Sequence, residues 1–266
     1  PEGREIPLSR ETLDVLRLSR EAYEFTGGAF DITCRPLIEL WREAGRRGAL
    51  PSPAEIEAAR AASNWARLEL TERGAIKRAA AARVDLGGIA KGYAIDRALD
   101  TLRAGGALGG LVDAGGDLRC FGKPPAGERW IVDVRNPFGG APLGRLNLSA
   151  GRAVCTSGDY ARYVEIEGRR YSHIMDPRTG QPVRDAPSVT VVARSATLAD
   201  VWATALSALG PEEGFARLPD EIEAMMVLGG ADHFRLLATS GFHALYEEGA
   251  AGAPEIWTPP PPPARR

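Results

Sequence analysis

Val84-Asp85-Leu86-Gly87-Gly88-Ile89-Ala90-Lys91-Gly92-Tyr93 divides the chain in two. It reads as a short strand ending at Val84-Asp85, a glycine-rich turn, and a helix running from about Ala90 to Arg103. Upstream the signals are mainly helical. Ser9 caps a helix to about Phe25 with Gly27 as its stop, and Pro36 suits the first turn of a short helix through Trp41. Ser52-Pro53-Ala54-Glu55 is a capping box opening a third helix to about Ala62. Leu68–Leu70 and Ala75–Lys77 then read as a hairpin around Glu72-Arg73-Gly74.

Downstream of Leu111 short strands dominate, at about 111–114, 118–121, 130–135, 144–148, 153–156, 160–166, 170–174 and 188–194. A helix from Leu198 to Leu209 is closed by Gly210-Pro211, and strands near 224–228 and 234–238 follow. Helices and strands are segregated rather than alternating, so the expected class is α+β with a largely antiparallel sheet. One domain is expected over 1–248. Residues 249–266, with five consecutive prolines, read as an extended tail.

Across 266 residues, 33 Lys and Arg nearly balance 35 Asp and Glu, so the basic excess of a general nucleic-acid binder is missing. No apolar run reaches the roughly 20 residues a membrane-spanning helix needs. Cys34, Cys120 and Cys155 are far apart and odd in number, which fits buried thiols better than a disulfide framework or zinc site.

Three features carry chemistry. In the 84–93 stretch, backbone N–H groups at a helix start, glycines that admit a ligand and a lysine in the first turn make phosphate-binding logic. The Walker spacing is absent, and a glycine turn with a surface lysine is the plain alternative. Asp200 and Thr204 stand four apart, so on a helix their oxygens share a face and suit Mg²⁺. The alternative makes Thr197 and Asp200 a helix cap and its partner. His173, in Tyr171-Ser172-His173-Ile174, is either a general base or a structural histidine. Thr156-Ser157-Gly158-Asp159-Tyr160 adds a hydroxyl and a carboxylate without the elbow of a serine hydrolase.

In order, TGGAFDITCRPLIELW (26–41), VDLGGIAKGYAIDRA (84–98), VDAGGDLRCFG (112–122), TSGDYARY (156–163), YSHIMDPRTGQPV (171–183) and ADVWATAL (199–206) closely resemble the ApbE-type FAD:protein FMN transferases. The resemblance covers about residues 6–247. It implies a Mg²⁺-dependent enzyme that moves FMN from FAD to a threonine hydroxyl of an acceptor protein and releases AMP. Acceptors in the family are typically redox-pump subunits or related flavoproteins. An FAD pyrophosphatase and a non-catalytic FAD carrier are the other readings.

By the same resemblance, Asp85 and Lys91 contact FAD, Ile174 lines the flavin pocket, and Gly27 and Gly28 lie on the adenosine side. Gly28 stands where the family usually has glycine after aspartate, and Gly27 replaces that aspartate. The Gly88 carbonyl, Asp200 and Thr204 are the implied Mg²⁺ ligands, and His173 is the implied base. The family also opens with a Met-Gly-Thr strand that has no counterpart from Pro1 onward, so roughly the first fifth of the usual domain is expected to be missing from this chain. The resemblance implies the bacterial cell envelope or periplasm, with the cytoplasm left open.

Overall fold

The computed structural model describes residues 2–158, 162–184, 186–249 and 251–259. Strand β1 (Glu5–Pro7) leads into helix α1 (Arg10–Phe25), then α2 (Arg35–Arg47) and α3 (Pro53–Ala62). Strands β2 (Leu68–Leu70) and β3 (Gly74–Lys77) precede α4 (Ala90–Ala104). Then come β4 (Gly110–Ala114), β5 (Asp117–Phe121), β6 (Trp130–Val134), β7 (Gly144–Leu148), β8 (Ala153–Gly158), β9 (Tyr163–Ile166), β10 (Arg169–Ser172), β11 (Met175–Asp176), β12 (Gln181–Pro182) and β13 (Ser188–Ala193). The long helix α5 (Ala196–Arg217) is followed by β14 (Glu223–Gly229), β15 (Phe234–Ala238), α6 (Ser240–Leu245), β16 (Tyr246–Glu248) and β17 (Glu255–Ile256).

The central sheet has seven strands in the order β17-β15-β14-β13-β8-β5-β4, antiparallel except where β17 runs parallel to β15. The α+β, largely antiparallel expectation holds. β13 lies inside this sheet and all six of its residues are buried. Its alternation sends Val189, Val191 and Ala193 to one face, where they join Ala153, Cys155, Ala224 and Met226 against Trp202 and Leu206 of α5. Val192 faces the other way with Val154, Met225 and Val227, against Leu146 and Leu148 of β7 and Phe242 of α6. Two cores therefore share one sheet.

Local signals placed the helix starts well. Ser9 accepts from the Thr12 N–H at 3.2 Å, and Ser52 with Glu55 forms the full capping box. Other boundaries need correction. α2 continues past Trp41 to Arg47, where Gly48 adopts the left-handed φ of 69° that closes it. Val84-Asp85 is not a strand: the Asp85 N–H donates to the Ile32 carbonyl at 2.7 Å, and among the described residues no strand pairs with it. The expected stop at Gly210-Pro211 is met, since α5 is kinked at Gly210 (φ 72°, ψ 179°), and Pro211 then begins a second helical segment to Arg217.

The 160–166 strand begins at Tyr163, and residues 159–161 lie outside the described set. The 170–174 strand stops at Ser172 because the Ile174 N–H turns to the Ser172 hydroxyl at 3.1 Å. Past residue 248 the chain is still tied to the sheet: β17 pairs with β15, and the Trp257 ring packs on Phe215 at 5.7 Å. The expected tail thus starts later than 249, and most of its prolines lie outside the described residues. Cys120 and Cys155 are buried and Cys34 half-buried, all three as free thiols.

Candidate active site

The loop Asp85–Ile89 and the first turn of α4 lie against α5 in a matched pair of four-residue steps. Gly92 meets Asp200: its backbone N–H donates to Asp200 Oδ2 at 3.0 Å. Gly88 meets Thr204: a Cβ placed on Gly88 would stand 2.7 Å from Thr204 Oγ1 and 3.1 Å from the Phe30 ring. A Cβ on Gly92 would fall 2.3 Å from the Ala196 carbonyl oxygen. Only glycine allows this approach at either position. The expectation that Asp200 and Thr204 share a face is met, and both look toward the glycine loop.

The alternative role for Asp200 as part of its own helix cap is overturned. Ser195 is the cap, accepting from the Leu198 N–H at 3.2 Å, while Asp200 reaches across to another helix. The first turn of α5 is also held from outside. Both oxygens of Asp96 on α4 accept from the Ala196 and Thr197 N–H groups at 2.9 Å, and Oδ2 from the Thr197 hydroxyl at 2.7 Å. Arg119 completes this clamp with a 2.8 Å ion pair to Asp96. α4 and α5 are thereby fixed in register.

Asp200 is 5% exposed, and burial, helped by the charge of Asp117, pushes its carboxyl up to about 7. Lys91 sits in the first turn of α4, as expected, and pairs with Asp117 at 2.6 Å. Burial works against the Lys91 charge, but the Asp117 hydrogen bond and charge outweigh it and hold its pKa above the ordinary lysine value. Asp117 also accepts from the Thr156 N–H at 2.9 Å, and Ser157 of the same strand lies 3.3 Å from the Thr204 hydroxyl. Burial raises the Cys155 thiol well above its usual range, so it stays protonated beside these charges.

At the other end of the loop, Asp85 Oδ1 accepts from the Gly87 N–H at 2.9 Å and Oδ2 lies 3.6 Å from Arg35. This carboxylate shapes the turn and keeps a side chain 25% exposed. Its charge reaches His173. His173 Nδ1 lies 2.9 Å from the Arg162 carbonyl oxygen, an acceptor only, so Nδ1 carries the proton and Nε2 is left with a lone pair in the neutral ring. Burial first, then the charges of Arg162 and Arg42, lower the histidine pKa. The Arg162 hydrogen bond and the Asp85 charge pull the other way, and burial outweighs them. His173 lines a cleft of about 410 Å³ with Trp41, Arg42, Arg162 and Ser172, and Ile174 beside it is buried.

Gly27 and Gly28 have a nearer task, ending α1 with φ of 63° and 83°; Gly28 donates to the Tyr23 carbonyl at 2.8 Å. The residue this segment sends to the Gly88 corner is Phe30. Another cavity, about 200 Å³ and apolar, lies among Ile6, Leu8, Leu16, Ala75, Val84 and Leu86. Among the described residues no cluster of three His, Cys, Asp or Glu side chains stands ready for a metal, and no helix is long and apolar enough to cross a membrane. A carboxylate, a hydroxyl and a backbone carbonyl are nevertheless hard donors of the kind Mg²⁺ takes with phosphate and water. The Ser157 hydroxyl was visible in the sequence, whereas Asp117, Asp96 and Phe30 gave no local signal because their partners lie far along the chain.

The chain is similar in sequence and fold to known proteins. The ApbE family model matches residues 2–226. A FAD:protein FMN transferase of Klebsiella pneumoniae (strain 342) is 32% identical over 234 residues, spanning 85% of this chain and 72% of that protein. One from Vibrio cholerae serotype O1 is 34% identical over 240 residues, spanning 88% and 72%. The apo structure of the Pseudomonas stutzeri flavinyl transferase ApbE aligns with a TM-score of 0.80 and 35% identity, covering 94% of this chain and 79% of the other. The ApbE protein of Thermotoga maritima aligns with a TM-score of 0.82 and 32% identity, covering 93% and 81%.

Proposed function

The chain belongs to the ApbE family, and from that premise we propose that it transfers FMN from FAD to a threonine hydroxyl of an acceptor protein. The acceptor oxygen forms a new bond to the FMN phosphorus. The bond from that phosphorus to the bridging oxygen of the anhydride breaks, and AMP leaves carrying the bridging oxygen. His173 takes the hydroxyl proton on Nε2, the nitrogen that its Nδ1–H bond to the Arg162 carbonyl leaves open. Lys91 draws the FAD diphosphate to the start of α4, where the positive end of the helix dipole favours an anion. The reaction asks for positioning and charge neutralisation more than for covalent chemistry.

Asp200, Thr204 and the Gly88 carbonyl would hold Mg²⁺. When bound, the ion would neutralise charge on the diphosphate. The observation that carries this reading is the close fit of Gly88 on Thr204 and Gly92 on Asp200, which brings hard oxygen donors to the glycine loop. The raised pKa of Asp200 supports it as well. Burial holds that pKa up in the absence of a cation, and an ion beside the carboxylate would lower it.

The test is to incubate the protein with FAD, Mg²⁺ and a threonine-bearing acceptor of the flavoprotein class, and to follow both products. The reading predicts AMP and acceptor-bound FMN in equal amounts. AMP without labelled acceptor would instead identify a FAD pyrophosphatase, and FAD binding without AMP a carrier.

A further inference from the structure

Lys91 carries its ammonium at the mouth of the loop–helix corner, yet its partner is inside the protein. The Asp117 side chain is 3% exposed against 41% for Lys91, and Oδ2 lies 2.6 Å from Nζ. The other carboxylate oxygen accepts the Thr156 N–H. Asp117 opens β5, which pairs through Leu118 with Val154 of β8, so the carboxylate is held by the central sheet.

We propose that Asp117 is the positioning residue for Lys91. It pins the end of a flexible four-carbon side chain at one point and leaves two of the three ammonium N–H donors for an incoming diphosphate. This rests on the reading that Lys91 meets the FAD diphosphate. Swinging Lys91 away would strand a buried carboxylate, so the ammonium stays in place when the anion arrives. The side-chain entropy of ordering Lys91 is then spent on folding rather than on binding.

Charge alone and positioning predict opposite signs. Neutralising a carboxylate beside an anion site raises the local potential and, by charge alone, tightens FAD binding. Loss of positioning loosens it. Asp117→Asn keeps an oxygen for the Thr156 N–H at nearly the same volume. FAD binding, read by flavin fluorescence, is to be measured for the wild type, Asp117→Asn, Lys91→Met and the double variant, with thermal melts alongside.

Asp117→Asn is expected to bind FAD about tenfold more weakly, the factor for re-ordering one rotamer-rich side chain. KM for FAD should rise more than kcat falls. In the Lys91→Met background the same change should cost nothing further. Affinity equal to or tighter than wild type in Asp117→Asn, or an equal loss in the Lys91→Met background, overturns the proposal. Unchanged affinity in Lys91→Met alone removes the diphosphate reading and this proposal together, which distinguishes the two failures. Should Asp117→Asn not fold, Lys91→Arg carries the test: it keeps an ion pair but moves the charge, so weaker FAD binding is expected and unchanged binding overturns the proposal.

Discussion

Asp200 and Gly92, 108 positions apart, are joined by a 3.0 Å hydrogen bond from the Gly92 backbone N–H to the Asp200 carboxylate. That bond places a buried carboxylate at the N-terminal turn of another helix, and its titration is open to measurement. The unfolded chain releases the Asp200 proton near pH 4, about the ordinary aspartate value. The folded protein releases it only at about 7, because burial disfavours the charge. Between those values the native state binds more protons, so stability falls as pH rises. Asp31, pushed up to about 6 by burial, adds to the slope over the lower part of the window.

Without divalent cations, the thermal midpoint should decline from pH 5 to pH 8, and Asp200→Asn should flatten the upper part of the decline. Mg²⁺ should stabilise the wild type more at pH 8 than at pH 5, with that gain lost in Asp200→Asn. Transfer should fall by about 10²-fold or more in that variant, since metal stabilisation of charge is worth several kcal/mol. Melting curves with and without Mg²⁺ across pH check the first two statements, and AMP release the third.

His173→Gln keeps a polar side chain in the cleft but removes the basic ring nitrogen. Transfer is expected to drop by about 10²–10⁴-fold, the usual contribution of a positioned base. FAD affinity should be unchanged, which equilibrium titration will check. In the wild type, the acid limb of the kcat/KM profile should lie below the ordinary histidine value, as burial and the Arg162 and Arg42 charges dictate. An acid limb above that value contradicts the assignment.

Gly88→Ala forces a Cβ to within 2.7 Å of Thr204 Oγ1 and 3.1 Å of the Phe30 ring. Either the loop or α5 must shift. A stability loss of about 1–3 kcal/mol is expected from overpacking, together with loss of Mg²⁺-dependent transfer. Urea denaturation and the AMP assay read the two effects separately.

Asp96→Ala removes the acceptor for two backbone N–H groups of α5 and strands Arg119, whose Nε is already buried without a partner. A loss of about 3 kcal/mol is expected, as for breaking a largely buried ion pair. Arg119→Met in that background should recover part of it. Denaturant midpoints of the single and double variants decide this.

The fold was legible wherever the information is local. Ser9, Ser52 and Pro53 announce helix starts through bonds spanning three residues, and Gly74 and Gly168 mark turns between short strands. What stayed hidden depends on distant partners. β1 is three residues with Pro7 at its end, and becomes a strand only because β3 pairs with it. Val84-Asp85 has strand-like residues, but the Asp85 N–H meets the Ile32 carbonyl of a helical turn rather than a strand. The candidate site divides in the same way: Lys91 on its helix start and the Asp200–Thr204 spacing were readable, whereas Asp117 needs β5, β8 and α4 assembled before it meets Lys91.

The most direct test of the central claim is a crystal structure obtained with FAD and Mg²⁺. The account predicts diphosphate density beside Lys91 at the Gly87-Gly88 turn, with a metal contacting Asp200 and Thr204. Density for the diphosphate elsewhere, with Asp200 still bonded only to the Gly92 N–H, contradicts it.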